Sequence, residues 1–375
     1  MPKVLAFTRA RNHSAACNEG TALRGELDSP PRFRVSTRAS TSRSTTTARE
    51  AGLLVSVVVP TCGRPQLLNR CVASLILQNL GPDKFEIIIV DDRPSEDTRK
   101  VVARWAEHTE DAGPKVTYIP SFGPHGPAAA RNLGWRAARG GIIAFTDDDT
   151  IAGADWLESG LRSFNDHVHA VWGRIVMPLT GTPTDYQLDA KGLESAVFVT
   201  ANCFCRKRVL EQLDGFDERF RYAWREDSDL YFRLLDYPAN IVHAPRAVVT
   251  HPIRPAGWGV SLSQLKKVQF DALLYKKHPT HYRQKIRAAP RWDFYFTVTA
   301  LLACLVALLT GAYGAAVIAG GAWLYMTGRF CVNRLKNTSR SPAHVLEMII
   351  TSMLIPPMAV YWRAVGALKF RAGLL

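Results

Sequence analysis

Ile142-Ile143-Ala144-Phe145-Thr146-Asp147-Asp148-Asp149 is an apolar run that stops on three consecutive carboxylates. A short apolar run of this kind reads as a buried strand. Three adjacent carboxylates repel one another and are costly unless a cation neutralises them. Hard oxygen ligands on a short loop suit Mg²⁺ or Mn²⁺, ions that keep waters and bridge phosphate oxygens. The alternative is a solvated acidic turn. The strand-end position favours the ligand reading.

The segments upstream repeat the pattern. Leu54–Val59 is a β-branched run that reads as a buried strand, and Pro65 suits a first helical position. Leu68, Cys71, Val72, Leu75 and Ile76 follow at helical spacing. Phe85–Val90 is a second strand closed by Asp91-Asp92, Arg99–His108 a helix, Val116–Ile119 a third strand and Ala128–Arg139 a helix. Strands alternating with helices predict an α/β domain with a mostly parallel sheet, which binds ligands at its carboxyl-terminal strand ends. Asp91 and Asp92 lie at such an end and can accept hydrogen bonds from a nucleobase or ribose; a helix N-terminal acid is the alternative. Downstream, Arg225-Glu226-Asp227-Ser228-Asp229 opens an amphipathic helix. A carboxylate there, facing a polyphosphate site, can deprotonate an acceptor hydroxyl. It can equally serve as a helix cap.

The chain has 375 residues, of which 47% are hydrophobic and 21% charged, so it holds a packed core. Its seven cysteines form no C-x-x-C pair and no zinc spacing, and read as reduced thiols. The net charge of +14 is unevenly spread. Residues 1–50 are net +5, residues 51–275 net −2 and residues 276–375 net +11. A slightly acidic central domain argues against nucleic acid. Basic charge beside apolar segments suits anionic lipid headgroups. Residues 1–50 are rich in Ser, Thr and Arg, lack an apolar stretch long enough for a signal peptide, and are expected to be a disordered arm.

The last hundred residues differ in kind. Residues 294–328 carry no charge over 35 positions, divided by Gly311-Ala312-Tyr313-Gly314. Basic residues flank both ends, among them Arg287 and Arg291 before and Arg329 and Arg334 after. The positive-inside rule then predicts a helical hairpin with both ends cytosolic. Residues 345–365 hold a shorter apolar stretch broken at Pro356-Pro357, expected to lie in the membrane interface or re-enter it. The expected division is arm 1–50, α/β domain 51–275 and membrane-associated helical region 276–375.

The order of the pieces carries a resemblance. Val57-Val58-Val59-Pro60-Thr61, Val90-Asp91-Asp92 and Gly126-Pro127-Ala128-Ala129-Ala130-Arg131-Asn132 resemble the family 2 glycosyltransferases, of the membrane-associated bacterial type. So do Ala144–Asp149, Ala201-Asn202-Cys203-Phe204, Gly215-Phe216-Asp217-Glu218-Arg219-Phe220 and Glu226-Asp227, over roughly residues 54–255. The resemblance implies the GT-A fold and an inverting, usually metal-dependent transfer from a nucleotide-sugar donor. On it, Pro60, Thr61, Arg64, Asp91, Asp92 and Arg131 belong to the nucleotide-sugar pocket. Asp147 and Asp149 match the outer acids of a D-x-D element holding Mg²⁺ or Mn²⁺ and the diphosphate, while Asp148 reaches the ribose or donor sugar. Asp227 matches the catalytic base, with Glu226 beside it. His251 sits where some members place a further metal or diphosphate ligand, or is a plain core or surface histidine.

The implied acceptor is a lipid-linked or membrane-proximal glycan, and the implied place is the inner (plasma) membrane with the catalytic domain cytosolic. Processive members carry Q-x-x-R-W after the base; here Gln264-Leu265-Lys266-Lys267-Val268 lacks the Arg-Trp pair. A processive polysaccharide synthase and a catalytically silent nucleotide-sugar-binding membrane protein stand as alternatives. A nucleotidyltransferase would want a glycine-rich phosphate loop, which Gly63-Arg64-Pro65 is not.

Overall fold

The computed structural model describes residues 52–373. The proposed arm, 1–50, lies outside the described residues, as does Cys17. The first half alternates β1 (Val55–Thr61), α1 (Pro65–Ile76), β2 (Phe85–Asp91), α2 (Glu96–Thr109), β3 (Lys115–Pro120), α3 (Pro127–Ala137) and β4 (Ile142–Phe145). These are the four strands and three helices that the hydrophobic pattern predicts. Then come β5 (Ile151–Ala152), α4 (Trp156–Leu161), β6 (Val168–Val176), α5 (Asp185–Lys191), β7 (Cys203–Arg206), α6 (Lys207–Gln212), α7 (Glu226–Asp236) and β8 (Asn240–Thr250).

The strands form one sheet in the order β3-β2-β1-β4-β7-β6-β8-β5. β3, β2, β1 and β4 are parallel, whereas β7 runs antiparallel to β4 and β6. Every residue of β1 and β2 is buried, as expected of parallel strands covered on both faces. Alternate residues serve opposite cores. Val55, Val57 and Val59 pack with Leu68, Val72 and Trp105 from α1 and α2. Val58, Ile88 and Val90 pack with Trp135, Leu230 and Phe270 on the other face.

α3 lies very close to the sheet, and its sequence shows why. A Cβ on Gly134 would come within 2.4 Å of Val58. Gly126, just before the helix, has φ +123°, and a Cβ there would meet the Arg221 carbonyl at 2.7 Å. Neither position tolerates a side chain. Strand order reverses between β1 and β4, because β2 and β3 build outward on one side of β1 and β4 starts the other. Such a switch point opens a crevice at the carboxyl ends of the strands. Thr61 ends β1, and the acidic triplet follows β4.

Beyond the sheet, α8 (Val260–Ser263), α9 (Gln269–Lys277) and α10 (Pro279–His281) lead to three long helices. α11 (Trp292–Leu309) and α12 (Tyr313–Leu335) form a hairpin around Gly311, whose φ is +73°. α13 (Pro342–Phe370) follows. All three are long and apolar enough to cross a membrane, with mean hydropathies of 1.9, 1.2 and 1.5. Leu309, Val317 and Ile318 are between 75% and 88% exposed, an apolar surface suited to lipid rather than water.

Two expectations are corrected. α13 is not broken at Pro356-Pro357 but runs 29 residues through them. Packing on both sides of the prolines holds it: Ile355 and Ala359 cluster with Leu265 and Phe294, and Gly366 lies against the Gln269 backbone. Cys71, Cys203, Cys205, Cys304 and Cys331 are free, but Cys62 is disulfide-bonded, against the expectation of seven reduced thiols.

Candidate active site

A cavity of about 280 Å³ opens at the switch point. Pro60, Thr61, Arg64, Asp92, Arg131 and Asp147 line it, six of the residues expected from the sequence. His125, Arg221 and Tyr222 also line it and were not anticipated. They adjoin the motif segments 126–132 and 215–220 without belonging to them, and the packing of Gly126 against Arg221 brings them together.

The two aspartates ending β2 have separate surroundings. Asp91 is fully buried, and its carboxylate accepts from the Arg93 and Ser95 backbone N–H groups and from Tyr118 Oη at 3.0 Å. Asp92 reaches the cavity and accepts from the Gly126 N–H at 2.8 Å, tying β2 to the start of α3.

The acidic triplet is compensated, which corrects the premise that it stands bare. Asp147 pairs with Arg131 at 2.7 Å. Asp148 pairs with Arg64 at 2.8 Å and accepts from Thr61 Oγ1 at 2.7 Å. Asp149 pairs with Arg254 at 3.0 Å and lies 3.4 Å from His251 Nε2. The cations come from the residue before α1, from α3 and from the segment after β8, so a local reading of the triplet could not see them. Asp148 has no exposed surface and faces Thr61 and Arg64, so its carboxylate does not line the cavity as a ribose contact would. Burial raises Asp148 to about 6 against the pull of Arg64. Asp149 is also buried, yet His251, Arg254 and Arg64 together hold it below the usual carboxylate range.

Asp147, Asp149 and His251 offer two carboxylate oxygens and an imidazole nitrogen within 4.8 Å of one another. Asp149 Oδ2 is held by Arg254 at 3.0 Å, whereas His251 Nδ1 is buried without a hydrogen-bond partner. Two hard oxygens and one imidazole fit a divalent ion of the Mg²⁺ or Mn²⁺ class.

Arg131 joins this cluster to the second one. Its guanidinium is 2% exposed and bridges Asp147 at 2.7 Å and Glu226 at 3.0 Å. Glu226 has no exposed surface, and its Oε2 lacks a hydrogen-bond partner. Burial, reinforced by the charge of Asp227, lifts Glu226 to about 7. Burial raises Asp227 too, although the Ser228 N–H donates to its Oδ1 at 2.6 Å. Asp229 is committed elsewhere: burial is outweighed by His278, Arg233 and Lys277, which hold it low. The turn into α7 is fixed from behind. Arg225 adopts φ +79°, and Asp271 accepts from Trp224 Nε1 at 2.9 Å and Arg225 Nε at 2.7 Å. Asp271 gave no sequence signal, because it acts from another helix.

An α/β sheet with a crevice at its switch point, acids at the ends of β2 and β4, and a carboxylate pair opening α7 define a class. Residues 56–221 match the family model described as glycosyl transferase family 2, and the chain carries a family 2 glycosyltransferase domain. Glycosyltransferase AglE of Haloferax volcanii is 25% identical over 228 residues, 58% of this chain and 70% of the relative. GalNAc(5)-diNAcBac-PP-undecaprenol beta-1,3-glucosyltransferase of Campylobacter jejuni is 29% identical over 141 residues, 37% of this chain and 43% of the relative. Several other curated glycosyltransferases are spanned over less than half their length. Among solved structures, the mannosyltransferase PcManGT from Pyrobaculum calidifontis, in complex with GDP-Man and Mn²⁺, shares the fold with a TM-score of 0.50. It is 19% identical, and the match covers 84% of this chain and 86% of that one.

Proposed function

We propose that the protein transfers a sugar, with inversion, from a nucleotide-sugar to a hydroxyl of a lipid-linked or membrane-proximal glycan. The observation that supports this is the bridge through Arg131, which lines the cavity with Asp147 and links the triplet after β4 to Glu226 of the carboxylate pair. A donor relative acting in complex with GDP-Man and Mn²⁺, and another named for an undecaprenol-linked acceptor, support the two ends of the reading.

In this reading Pro60, Thr61, Arg64 and Asp92 receive the nucleotide, with Asp91 bracing the loop behind them. Asp147, Asp149 and His251 hold Mg²⁺ or Mn²⁺, which when bound supplies positive charge to the leaving diphosphate. The bond from the anomeric carbon to the diphosphate oxygen breaks, and its electron pair leaves with the nucleoside diphosphate. Positive charge develops on the sugar as in glycoside hydrolysis. The acceptor oxygen bonds to the opposite face of that carbon while its proton passes to Asp227. Arg131 and Arg254 add fixed positive charge near the leaving group. Glu226, whose carboxyl is lifted to about 7, holds its proton more readily and leaves Asp227 as the proton acceptor of the pair.

The α/β domain of residues 51–275 would work on the cytosolic side of the inner membrane, with 276–375 as its anchor. The test is a nucleotide-sugar screen of detergent-purified protein with Mn²⁺ or Mg²⁺, following release of nucleoside diphosphate. Turnover of one donor, lost in Asp227→Asn with binding retained, supports the reading. Binding without turnover across all donors and glycan acceptors would instead favour a silent nucleotide-sugar-binding protein.

A further inference from the structure

A second, larger cavity of about 580 Å³ lies where the α/β domain meets α11, α12 and α13. It is backed by Trp224 and Arg225, the residues immediately before Glu226-Asp227. Tyr222 and Ala223 line the first cavity, so one short segment separates the two chambers, with the carboxylate pair at its end.

The charge in this chamber does not balance. Six basic and four acidic residues line it. Three of the arginines are matched: Arg225 with Asp271, Arg291 with Asp293 and Arg334 with Asp185. Arg287 and Arg363 have neither an ion pair nor a side-chain hydrogen bond among the described residues. Arg363 is only 7% exposed. A buried guanidinium without a partner is costly, and a site that keeps one is arranged for an anion. Arginine in particular suits phosphate, which it can grip through two N–H groups at once. Burial lowers Arg287 from its ordinary value, and Arg291 and Arg363 push it in the same direction. Tyr282 and Asp271 act in the opposite direction, but the Asp271 carboxylate is already engaged by Trp224 and Arg225.

The rest of the wall is apolar. Phe294, Phe330, Ile355 and Ala359 line it, and all four belong to the helices long and apolar enough to cross a membrane. Phe294 and Phe330 meet edge to face at 5.4 Å. A neutral, water-soluble glycan would not satisfy unpaired guanidiniums beside an aromatic wall.

We propose that this chamber is the acceptor site, in which Arg287 and Arg363 bind the phosphate or diphosphate of a lipid-borne acceptor whose chain runs out along the α11–α13 wall. The proposal rests on the glycosyltransferase reading and specifies its acceptor class. It places the acceptor head beside Trp224-Arg225, on the far side of that segment from the donor.

The test uses the full chain in detergent and titrates farnesyl diphosphate, farnesol and inorganic diphosphate, with donor nucleotide binding as a separate control. A charge-assisted contact to phosphate is worth roughly one to two powers of ten in affinity. Farnesyl diphosphate should bind at least about tenfold tighter than either farnesol or inorganic diphosphate. The double variant Arg287→Gln, Arg363→Gln should lose that advantage and keep farnesol and nucleotide binding. Arg363→Lys, which keeps charge without the fork, should fall between and guard against a folding artefact. Equal binding of farnesyl diphosphate by wild type and double variant would overturn the proposal. So would inorganic diphosphate binding as tightly as the lipid. Loss of adhesion to phosphatidylglycerol vesicles in the double variant, with farnesyl diphosphate affinity unchanged, would assign the arginines to bulk lipid instead. Failure of nucleotide binding in the wild type would count against the donor reading alone.

Discussion

The two cavities carry the same excess of basic over acidic lining residues and place it differently. At the donor cleft every acid of the triplet has a cation: Asp147 with Arg131, Asp148 with Arg64, Asp149 with Arg254. At the helical junction Arg287 and Arg363 have no ion pair among the described residues and Arg363 is buried, whereas Arg93 and Arg221, the unpaired arginines of the first cavity, are exposed. A ligand entering the first must join or rearrange the ion pairs already made by the triplet. A ligand entering the second supplies charge that is missing. The first arrangement is suited to holding a defined geometry, the second to capturing an anion.

The sharpest way to break this contrast is at the triplet. If Asp147, Asp149 and His251 form a metal site, excess EDTA should abolish transfer, and Mn²⁺ or Mg²⁺ should restore it. Asp149→Asn should do the same without leaving a void, and should weaken nucleotide binding. Full turnover in EDTA would mean that Arg64, Arg131 and Arg254 suffice as the positive charge, and that the network is complete without an ion.

The next largest effect falls at the boundary between the chambers. Asp227→Asn keeps the shape and removes the proton acceptor. Transfer should drop roughly 10²–10⁴-fold, the usual worth of a positioned general base. Nucleotide affinity should hold, since Asp92, Asp147 and Asp149 are untouched. A rate within a fewfold of wild type would reduce Glu226-Asp227 to a helix N-terminus. Asp229 is a poor replacement, being clamped by Arg233, Lys277 and His278.

How far the sequence could carry this contrast depends on distance along the chain. The four parallel strands and their helices were legible because burial on both faces writes itself into runs such as Val55–Thr61 and Phe85–Asp91. The hairpin was legible because 35 uncharged residues with basic flanks have few other uses. The candidate site was legible only as a set of carboxylates at strand and helix ends. What the carboxylates touch was not. Arg64 meets Asp148, 84 positions away in sequence, and Asp271 steadies Trp224 across 47. Such contacts leave no periodic trace. Nor did the basic flanks of the hairpin reveal that Arg287 and Arg363 face one chamber, since α13 had first to fold back onto α9.

A milder effect compares the chambers directly. Salt screens an exposed or partly exposed charge attraction far more than a network of buried pairs. Raising ionic strength from about 0.05 to about 0.5 M shortens the screening length from roughly 14 to 4 Å. Nucleotide binding under constant Mn²⁺, drawn in part by the exposed Arg93 and Arg221, should then weaken more than farnesyl diphosphate binding to the buried Arg363. Equal salt sensitivity would erase the distinction between an exposed excess of charge and a buried one.

The smallest expected effect is the most specific to Glu226. Its carboxyl is buried and lifted to about 7, against an ordinary value of 4.5. A carboxyl raised in the folded state favours folding in its protonated form. That contribution is complete below the unfolded value of 4.5 and is lost as pH rises through about 7. Glutamine resembles the protonated form and cannot ionise. Glu226→Gln should therefore melt close to wild type at pH 5 and above it at pH 8, by a few degrees. The hydrogen bond from Arg131 to Oε1 can pass to the amide oxygen, so the bridge to Asp147 need not open. Turnover should stay within a fewfold, because Asp227 keeps its role. Melting curves at the two pH values decide the matter. If the variant is less stable at pH 8, the Glu226 charge is needed to hold Arg131, and the link between the two acidic clusters is an ion pair rather than a neutral hydrogen bond.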